Sequence, residues 1–550
     1  MKRHLEGLLS QALTDATATG ECKVSTPPPL VLETPADPRF GDLACNVALV
    51  LARPAGKPPR VVAERILAHL RDPHGWLASS EIAGPGFLNV RFTPAFWHML
   101  LREALAAGEA YGRSQAGAGR RVQVEFVSAN PTGPLHIGHG RGAVIGDVTA
   151  RLLEAIGCEV EREYYVNDAG RQMDVLGHST LARYRQRCGE DAPLPQDGYP
   201  GEYLVEVAAR LFAEVGDRWI GLPTEEAAAR CRDFAGLLLL REIEVDLARF
   251  AVRFDRFVSE RALRSAGTVE RALAALPPDT LYRDDGALFF RSTRSGDEKD
   301  RALLRGNGEP TYFGGDAAHY YETVARGFTE LVNVLGADHH GYVARLRALV
   351  GALGFDPEQL RVLLVQLVQL TRGGEPVRMG KRAGEFVTLR EVLDEVGPDA
   401  ARFFFLLRKA DSQLEFDLAL AKKQSTDNPV FYVQYAHARI ASVFRQAAEA
   451  GVVRDPDPPL TPLGEADFPL VRLAASYPDV VESAARELEP HRMVFYALEL
   501  SGAFHRYYNQ HRILTDDRPL TQARLALMAC VQQVLRSALG LAGVAAPERM

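Results

Sequence analysis

Lysine is scarce in this chain. Only eight of its 64 basic residues are lysine, so the sequence has mostly taken arginine where either cation would serve. Cysteine is also sparse, because the six cysteines are scattered without a CxxC pair. That scatter argues against a disulfide framework and against a zinc ribbon. A lysine in a loop that resembles a binding site is therefore unusually informative.

Long apolar runs are missing as well. No uninterrupted run reaches membrane-spanning length, and the start, Met1 to Glu6, lacks the apolar core of a signal peptide. We therefore expect a cytoplasmic protein that does not associate with a membrane. The formal net charge of −7 argues against a generic polyanion binder, although a local basic face can still bind nucleic acid.

Hydrophobic periodicity divides the 550 residues into three predicted domains. Residues 1–110 predict a compact α/β domain, in which residues 42–52 are expected to be helical. Residues 120–405 predict a parallel-sheet α/β domain with an insertion at about 185–300, and one buried strand is expected at 360–370. Residues 410–550 show only helical periodicity and predict an all-helical bundle.

The most informative stretch runs from Glu125 to Gly142. Residues 121–127 alternate polar and apolar side chains and predict a strand, which prolines and glycines at 131–134 end. Apolar residues at helical spacing then predict a helix that stops at Gly157, and a second strand is predicted at 159–166. The pattern is typical of the first half of a parallel βαβ sheet.

This strand–loop–helix junction is suited to binding phosphate. The first turn of a helix offers unpaired N–H groups and the positive end of its dipole. Gly138 and Gly140 lack a Cβ, so a nucleotide can lie against bare backbone. His136 and His139 stand three residues apart and can donate toward the same phosphate oxygens. The alternative for such a pair is a structural role or part of a zinc site, which needs further ligands.

A second candidate site follows the predicted strand at 360–370. Residues 371–384 carry four glycines and three arginines around Lys381. Glycine-rich cationic loops after a parallel strand suit phosphates, and lysine provides a compact point charge for a pyrophosphate leaving group. The alternative is a solvated basic hairpin.

At these motifs the sequence resembles class I aminoacyl-tRNA synthetases. Residues 134–139 match their HIGH motif, and Arg378-Met-Gly-Lys-Arg382 resembles a degenerate KMSKS loop. Further segments, at 165–172, 310–316 and 428–439, are similar to the arginyl-tRNA synthetase family in particular. The resemblance implies a class I Rossmann-type catalytic domain between an N-terminal α/β domain and a C-terminal helical anticodon-binding domain.

The resemblance also implies roles for individual residues. His136, His139 and Lys381 are the expected catalytic residues, and Gly138, Gly140, Arg378, Met379 and Arg382 are expected to bind ATP, which Mg²⁺ accompanies. Two positions depart from the family's loop pattern. Arg378 replaces its first lysine, and Gly380 replaces its serine, which removes one hydroxyl from the phosphate site.

Arginine recognition needs carboxylates that face a planar guanidinium. By resemblance, the expected arginine-binding residues are Glu125, Asn130, Tyr312, Asp316 and His339, with Asp316 at the guanidinium. Singly, each has another interpretation: Asp316 could cap a helix, Tyr312 could be a core residue, and residues 338–340 could form a polar turn.

The helical C-terminal region is expected to bind tRNA. Tyr435 and Arg439 match positions of the family that face the anticodon, and an anticodon is read by stacking and by hydrogen bonds to base edges. A second candidate surface comprises His505, Arg506, Tyr508 and Arg512. The resemblance further implies that the N-terminal domain touches the corner of the tRNA.

Together these features predict a monomeric enzyme that activates arginine with ATP, in the presence of tRNA, and transfers it to the 3′ end of tRNA(Arg). Two rivals remain open. One is a nucleotidylyltransferase with a HIGH motif, which has no need of a helical tail of this length. The other is a tRNA-binding paralogue without catalysis, although a rare lysine in the phosphate loop argues against a dead site.

Overall fold

The computed structural model describes residues 1–20, 28–35, 37–377 and 387–550. The N-terminal elements form an antiparallel sheet in the order β1-β2-β4-β3 with helices packed on it. They are α1 (Lys2–Ala18), β1 (Leu32–Glu33), β2 (Leu43–Cys45), α2 (Val47–Ala55), α3 (Pro59–His69), β3 (Leu77–Ala83), β4 (Phe87–Phe92) and α4 (Pro94–Ala107). The expectation of a helix throughout residues 42–52 was wrong at its start. There Leu43–Cys45 pairs with β4, because its side chains fill the sheet's buried face.

The central region is built on a parallel sheet in the order β12-β11-β5-β6-β7. Its elements are β5 (Arg121–Glu125), α5 (Ile137–Ala155), β6 (Glu159–Val166), α6 (Arg171–Arg187), α7 (Tyr203–Val215), α8 (Thr224–Arg249), β7 (Arg256–Ser259), α9 (Glu260–Ser265), α10 (Thr268–Ala275), β8 (Leu281–Asp284), β9 (Ala287–Phe290), β10 (Arg301–Leu304), α11 (Tyr312–Ala325), β11 (Glu330–Gly336), α12 (Val343–Ala352) and β12 (Leu360–Val365). The chain proceeds outward from β5 to β7 and then returns to β11 on the other side of β5. The strand order therefore reverses beside β5, and ligands bind at such a reversal in open α/β sheets.

Two expectations about strands were wrong. The single strand expected at 360–370 is two strands, β12 and β13 (Val368–Arg372), which belong to different sheets. Val368–Arg372 pairs with β14 (Glu375–Pro376) and with a strand at Leu414–Asp417, in the region expected to be purely helical. An uninterrupted apolar run does not reveal where a strand leaves one sheet for another, so periodicity could not locate this break.

The remaining elements are mostly helices. They are α13 (Leu389–Val396), α14 (Pro398–Phe405), β15 (Leu414–Asp417), α15 (Leu418–Ala421), α16 (Pro429–Glu449), α17 (Phe468–Ala475), α18 (Tyr477–Glu487), α19 (His491–Gln510) and α20 (Arg518–Ala542). Among the described helices, α20 is long and apolar enough to span a membrane, with a mean hydropathy of 1.5. It escaped the search for uninterrupted runs because polar residues interrupt it. Since 61% of its apolar window is buried inside the protein, we interpret it as the core helix of the bundle.

One buried arginine ties these parts together. Arg402, in α14, is 0% exposed and forms an ion pair with Asp147 of α5. Its guanidinium also donates to the carbonyl oxygens of Ala542 and Phe250, each at 2.9 Å. Helix α5, which begins at the HIGH segment of this sequence, is thereby joined to the ends of α8 and α20.

We predict that Arg402→Ala lowers the free energy of unfolding by about 3–5 kcal/mol, because it removes the fully buried partner of Asp147 and leaves that carboxylate with Arg151 alone. Urea unfolding followed by circular dichroism measures the change. Arg408→Ala, which removes an exposed arginine just beyond the same helix, is the matched control and should cost less than about 0.5 kcal/mol. Equal effects of the two substitutions would contradict the assignment.

Candidate active site

The turn after β5 is strained. Val127 and Ser128 have φ values of 68° and 40°, a region that β-branched residues rarely adopt. Two hydrogen bonds hold the turn: the Ser128 hydroxyl donates to Glu125 Oε1 at 2.9 Å and accepts from the Tyr165 N–H at 3.1 Å. The strained turn therefore fixes the carboxylate at the end of the strand.

His136 and His139 frame the start of helix α5. The Gly138 N–H donates to His136 Nδ1 at 3.1 Å, and the His136 N–H donates to His139 Nδ1 at 3.3 Å. The two rings stack with centroids 3.6 Å apart. Because each Nδ1 accepts a backbone hydrogen bond, each neutral ring carries its proton on Nε2. The pair thus caps the helix and presents two neutral N–H donors.

Burial keeps both rings uncharged. It lowers the pKa of His136, and it lowers that of His139 to about 3 with a further contribution from the neighbouring His136. Burial disfavours the charged form of an imidazole. Stabilisation of phosphate by these two side chains would therefore begin from hydrogen bonds of neutral rings.

Gly138 and Gly140, the two glycines of the motif, have different surroundings. Gly138 lines the cavity described below, as expected for backbone that meets a ligand. Gly140 is buried on the opposite side, and a Cβ there would lie 2.8 Å from Leu389 Cδ1 and 3.3 Å from the Phe405 ring. The packing gives a structural reason for glycine there, namely the close approach of α5 to α13 and α14, and contact of Gly140 with ATP stays a prediction. Gly142, which sequence reasoning passed over, does line the cavity.

A cavity of about 1500 Å³ opens where the strand order reverses, at the carboxyl ends of β5, β11 and β12. Of the predicted site residues, Asn130, His136, Gly138, His139 and His339 line it. Residues 199–203 of the insertion form another wall, held by a hydrogen bond of 2.6 Å from the Tyr203 hydroxyl to the Thr132 carbonyl oxygen. The sheet edge, the helix α5 N-terminus and the insertion thus enclose one space.

Lys381, Arg378, Met379 and Arg382 lie outside the described residues. The residues that flank this segment are described, and those after it lie at the cavity. Val377 donates its N–H to the Leu370 carbonyl oxygen at 2.9 Å, and on the far side Thr388 pairs with the backbone of His136. Val387 and Thr388 both line the cavity wall.

Glu125, at the end of β5, is 8% exposed. Besides the Ser128 bond, it accepts from Asn333 Nδ2 at 3.1 Å, and Asn333 lies on the neighbouring strand β11. Burial raises its pKa, and the charge of His319 opposes that shift. Residues of β11 and of the turn after β5 thus fix this carboxylate at the point where the strand order of the sheet reverses.

Asp316, in the first turns of α11, shares this buried environment. Burial raises its pKa to about 7; the charge of His319 opposes the shift, while the charges of Glu125 and Glu260 add to it. Among the described residues, its Oδ2 is buried and lacks a hydrogen-bond partner. A buried carboxylate oxygen in this state is costly unless a ligand supplies the missing donor.

Two of the expected arginine-binding residues are more exposed. Tyr312 begins α11 and is 57% exposed, so it is not a core residue, and it is not among the residues that line the described cavity. His339 is exposed in a turn at 337–342, with its Nε2 3.7 Å from Asp338 Oδ2. The polar-turn interpretation of residues 338–340 thus describes their conformation, and His339 still faces the cavity.

Within the described residues, one group has the spacing of a metal site, and it does not include the HIGH histidines. It consists of Glu125, Glu163 and His319, all buried. Glu163 already accepts from Gln123 at 3.0 Å and from His319 at 2.7 Å, so these ligand atoms are engaged by protein donors.

The predicted tRNA-binding residues form one aromatic and cationic surface with the second candidate group. The Arg439 guanidinium lies 4.1 Å from the Tyr508 ring centroid and 5.7 Å from that of Tyr435. His505 stacks on Tyr435 with centroids 5.7 Å apart. Helices α16 and α19 therefore bring together two segments that are about 70 residues apart in sequence.

Sequence reasoning missed several residues that shape the site. Arg141 is 0% exposed, and its guanidinium donates to the carbonyl oxygens of Gln366 and Ser412 at 2.8 Å and of Lys409 at 2.7 Å. It thereby fixes α5 against the cavity rim at Gln366. His319 and Asn333 were missed too. Their signal was present, since polar residues inside otherwise apolar buried elements need partners.

Comparison with known proteins links these features to one family. Residues 3–92 match "Arginyl tRNA synthetase N terminal domain", residues 100–194 match "tRNA synthetases class I (R), catalytic domain", and residues 433–550 match "DALR anticodon binding domain". The curated "Arginine--tRNA ligase" of Syntrophotalea carbinolica is 50% identical over 560 residues, with 100% of each chain covered. The protein of the same name from Citrifermentans bemidjiense is 48% identical over 554 residues, again with 100% of each chain covered.

The solved structure of Thermus thermophilus arginyl-tRNA synthetase has the same fold. It superposes with a TM-score of 0.78 at 24% identity and covers 100% of both chains. The predicted fold class, a Rossmann-type parallel sheet of class I between an N-terminal domain and a helical C-terminal domain, is confirmed.

We predict that the stability of this protein falls on acidification partly through His139. Its folded pKa lies below the ordinary value of 6.5, so its contribution is complete above about pH 6.5 and is lost as the pH falls below that value. In His139→Asn, the Asn Oδ1 can still accept the His136 N–H but does not titrate. The difference in melting temperature between the native protein and this variant should therefore shift against the native protein from about pH 7 to pH 5. Parallel melting curves would contradict the prediction.

Proposed function

The chain belongs to the arginyl-tRNA synthetase family and is an arginine–tRNA ligase that uses ATP, and we propose that arginine is activated in the cavity at the carboxyl ends of β5 and β11. In this reaction an oxygen of the arginine carboxylate attacks the α-phosphorus of ATP. The bond from that phosphorus to the bridging oxygen breaks, and pyrophosphate leaves. A hydroxyl at the 3′ end of tRNA then attacks the carbonyl carbon of the adenylate and releases AMP.

His136 and His139 serve the ATP side of the site. Their Nε2–H groups donate to phosphate oxygens, on which charge builds as the α-phosphorus is attacked. The N-terminus of α5 and the backbone at Gly138 add unpaired N–H groups and the positive end of the helix dipole. Stabilisation by positioned donors is the main contribution a protein makes to such a displacement.

Lys381 acts on the leaving pyrophosphate, with Arg378, Met379 and Arg382 beside ATP. What supports this role is the course of the chain on both sides of the loop. The segment leaves from the β13–β14 hairpin and rejoins described chain at Val387 and Thr388, which line the cavity next to His136. A compact ammonium suits a leaving group whose oxygens move during the reaction.

The single observation that carries arginine as the amino acid is the pair of carboxylates formed by buried Glu125 and partly buried Asp316. Asp316 Oδ2 is buried without a partner among the described residues, so a guanidinium that enters would supply the missing donors. Glu125 and Asn130 stand nearer the end of β5 and receive the amino acid's backbone end, with His339 on the cavity wall and Tyr312 exposed at the start of α11. Leaving buried carboxylates unpaired penalises every amino acid that lacks a matching cation.

Mg²⁺ enters with ATP. Magnesium keeps several water ligands and is usually held by substrate phosphates with one or two carboxylates. Glu202 and Asp338 are acidic residues on the cavity lining and fit that demand, whereas the buried Glu125–Glu163–His319 group, whose ligand atoms are engaged by protein donors, does not. Bound there, the metal would neutralise charge on the phosphates.

The bundle surface formed by Tyr435, Arg439, His505 and Tyr508 binds the anticodon of tRNA(Arg). Flat rings and a guanidinium are the groups on which unstacked bases stack. The family assignment supports the same role for the C-terminal region as a whole. We further propose that the protein acts in the cytoplasm as a monomer, and that activation of arginine requires bound tRNA.

We predict that Asp316→Asn abolishes detectable use of arginine in ATP–pyrophosphate exchange measured with tRNA present. In the native enzyme, the KM for arginine should rise about tenfold per pH unit below pH 7, because binding must then expel a proton from Asp316. The KM for ATP should not follow this profile. Exchange measured without tRNA tests the tRNA requirement in the same series.

Stability provides the control for that substitution. A carboxyl whose folded pKa is raised destabilises the fold above its unfolded pKa, so Asp316→Asn should melt at the same or a higher temperature at about pH 8. A soluble, stable variant that still uses arginine with unchanged KM would overturn the assignment of Asp316 to the guanidinium.

We predict that Arg439→Ala raises the KM for tRNA(Arg) in aminoacylation about tenfold, since a lost stacking contact costs about 1–3 kcal/mol. The KM values for arginine and ATP should stay within about twofold of native. Arg445→Ala is the matched control on the same helix, because Arg445 turns to the Glu548 carbonyl oxygen at 3.2 Å. Equal effects of both substitutions would indicate a loss of charge alone, against a base-stacking role.

A further inference from the structure

A buried histidine lies behind the two carboxylates that we assign to arginine. His319 is in α11, one helical turn after Asp316, and is 4% exposed. Its Nε2 lies 2.7 Å from Glu163 Oε1, and its Nδ1 lies 3.9 Å from Glu125 Oε2. The ring thus sits between two carboxylates that come from adjacent strands, β6 and β5.

Glu163 is the fixed partner of this histidine. It is 0% exposed and accepts from Gln123 Nε2 at 3.0 Å, while Arg326 Nη2 lies 2.5 Å from its Oε2. Burial alone would raise the pKa of Glu163. The His319 hydrogen bond and the charges of His319 and Arg326 outweigh burial and lower that pKa to about 2. Glu163 is therefore ionised at every pH at which the enzyme is handled.

Of the two carboxylates beside His319, Glu125 is the one whose ionisation depends more on its surroundings. Its own hydrogen bonds come from two neutral groups, Ser128 and Asn333, and neutral donors stabilise a buried carboxylate only in part. His319 is the cationic group closest to it among the described ion pairs. Without a cation at that distance, burial favours the protonated form of Glu125, which cannot attract a cationic substrate.

We propose that His319 is a positioning residue of the arginine site, held protonated by Glu163 so that Glu125 stays ionised and aimed at the cationic substrate. The proposal rests on the proposed assignment of Glu125 and Asp316 to arginine. His319 itself touches no substrate. It acts through Glu125, and Glu163 acts in turn through His319.

The surroundings of His319 support a proton rather than a metal ion at this position. The titratable groups around it are Glu125 on β5, Glu163 and Tyr165 on β6, Asp316 and Tyr320 on its own helix, and Arg326 just after that helix. Burial lowers the pKa of His319, but the charges of Glu125, Glu163 and Asp316 outweigh it and raise that pKa. The 2.7 Å separation between Nε2 and Glu163 is that of a charge-assisted hydrogen bond.

Two measurements on the full chain test the proposal. In protein labelled with ¹⁵N-histidine, the resonances that disappear in His319→Gln belong to His319, and their shifts should report a doubly protonated ring at about pH 7.5. In exchange assays with tRNA present, His319→Gln and Glu163→Gln should each raise the KM for arginine about tenfold to hundredfold, as expected when a supporting partner is removed. The KM for ATP should change less than about threefold.

Glutamine at position 319 can still donate to Glu163, so it separates the charge from the hydrogen bond. His98→Gln is the matched control: His98 is a buried histidine of α4, far from the sheet's carboxyl edge, and this variant should keep the native KM for arginine. A neutral His319 ring at about pH 7.5, or equal rises in the KM values for arginine and ATP, would overturn the proposal.

The variants Glu125→Gln and His319→Gln together distinguish failure of the proposed arginine site from failure of the role proposed for His319. If Glu125→Gln leaves the KM for arginine unchanged, Glu125 is not an arginine ligand and the proposed function fails at that residue, whatever the state of His319. If Glu125→Gln raises that KM while His319→Gln does not, the arginine assignment stands and the positioning role of His319 is refuted.

Discussion

Charge buried at the carboxyl edge of the parallel sheet is the constraint on which the site depends. Glu125, Glu163, Glu260 and Asp316 lie close together there. His319, Arg256 and Arg326 lie within ion-pair distance of Glu163, and Arg264 pairs with Glu260. Asp316 forms no described ion pair, and its Oδ2 lacks a hydrogen-bond partner among the described residues. Burial of a lone charge is so unfavourable that it must take a proton or a cationic ligand. A guanidinium would supply the missing donors, which is our reason for assigning arginine to this sheet edge.

A second set of buried cations joins helix α5 to the rest of the fold. Arg402 joins Asp147 of α5 to the ends of α8 and α20, and Arg141 joins the same helix to three carbonyl oxygens, of which that of Gln366 belongs to the cavity lining. Helix α5 therefore cannot shift without breaking hydrogen bonds that have no water to replace them. Since α5 begins at the HIGH histidines, the bundle that we assign to tRNA and the cavity that we assign to ATP share this helix.

The sequence predicted what depends on local pattern. The β5–α5–β6 unit, including the end of its helix near Gly157, and the helical character of the bundle followed from periodicity and turn residues, and the resemblance supplied the family. Prediction from the sequence failed where contacts between residues distant in sequence determine the structure. The strand at Leu43–Cys45, the split between β12 and β13, and the burial of Gly140 against Leu389 depend on partners distant in sequence. His319 and Asn333 were missed for the same reason, because their role exists only once β5, β6 and β11 lie side by side.

The two halves of the site solve opposite electrostatic problems. ATP brings a large negative charge, yet the Nδ1 atoms of the two histidines that we assign to it cap α5, and burial lowers the pKa of both rings. In the proposed function, the compensating cations are therefore Mg²⁺ and Lys381. In a chain that uses arginine almost everywhere, this lysine is the compact charge suited to that task. Arginine brings its own positive charge, and for it we propose the carboxylates of Glu125 and Asp316. A site with fixed cations near Asp316 would be more stable when empty, but it would have no unpaired carboxylate with which to select arginine.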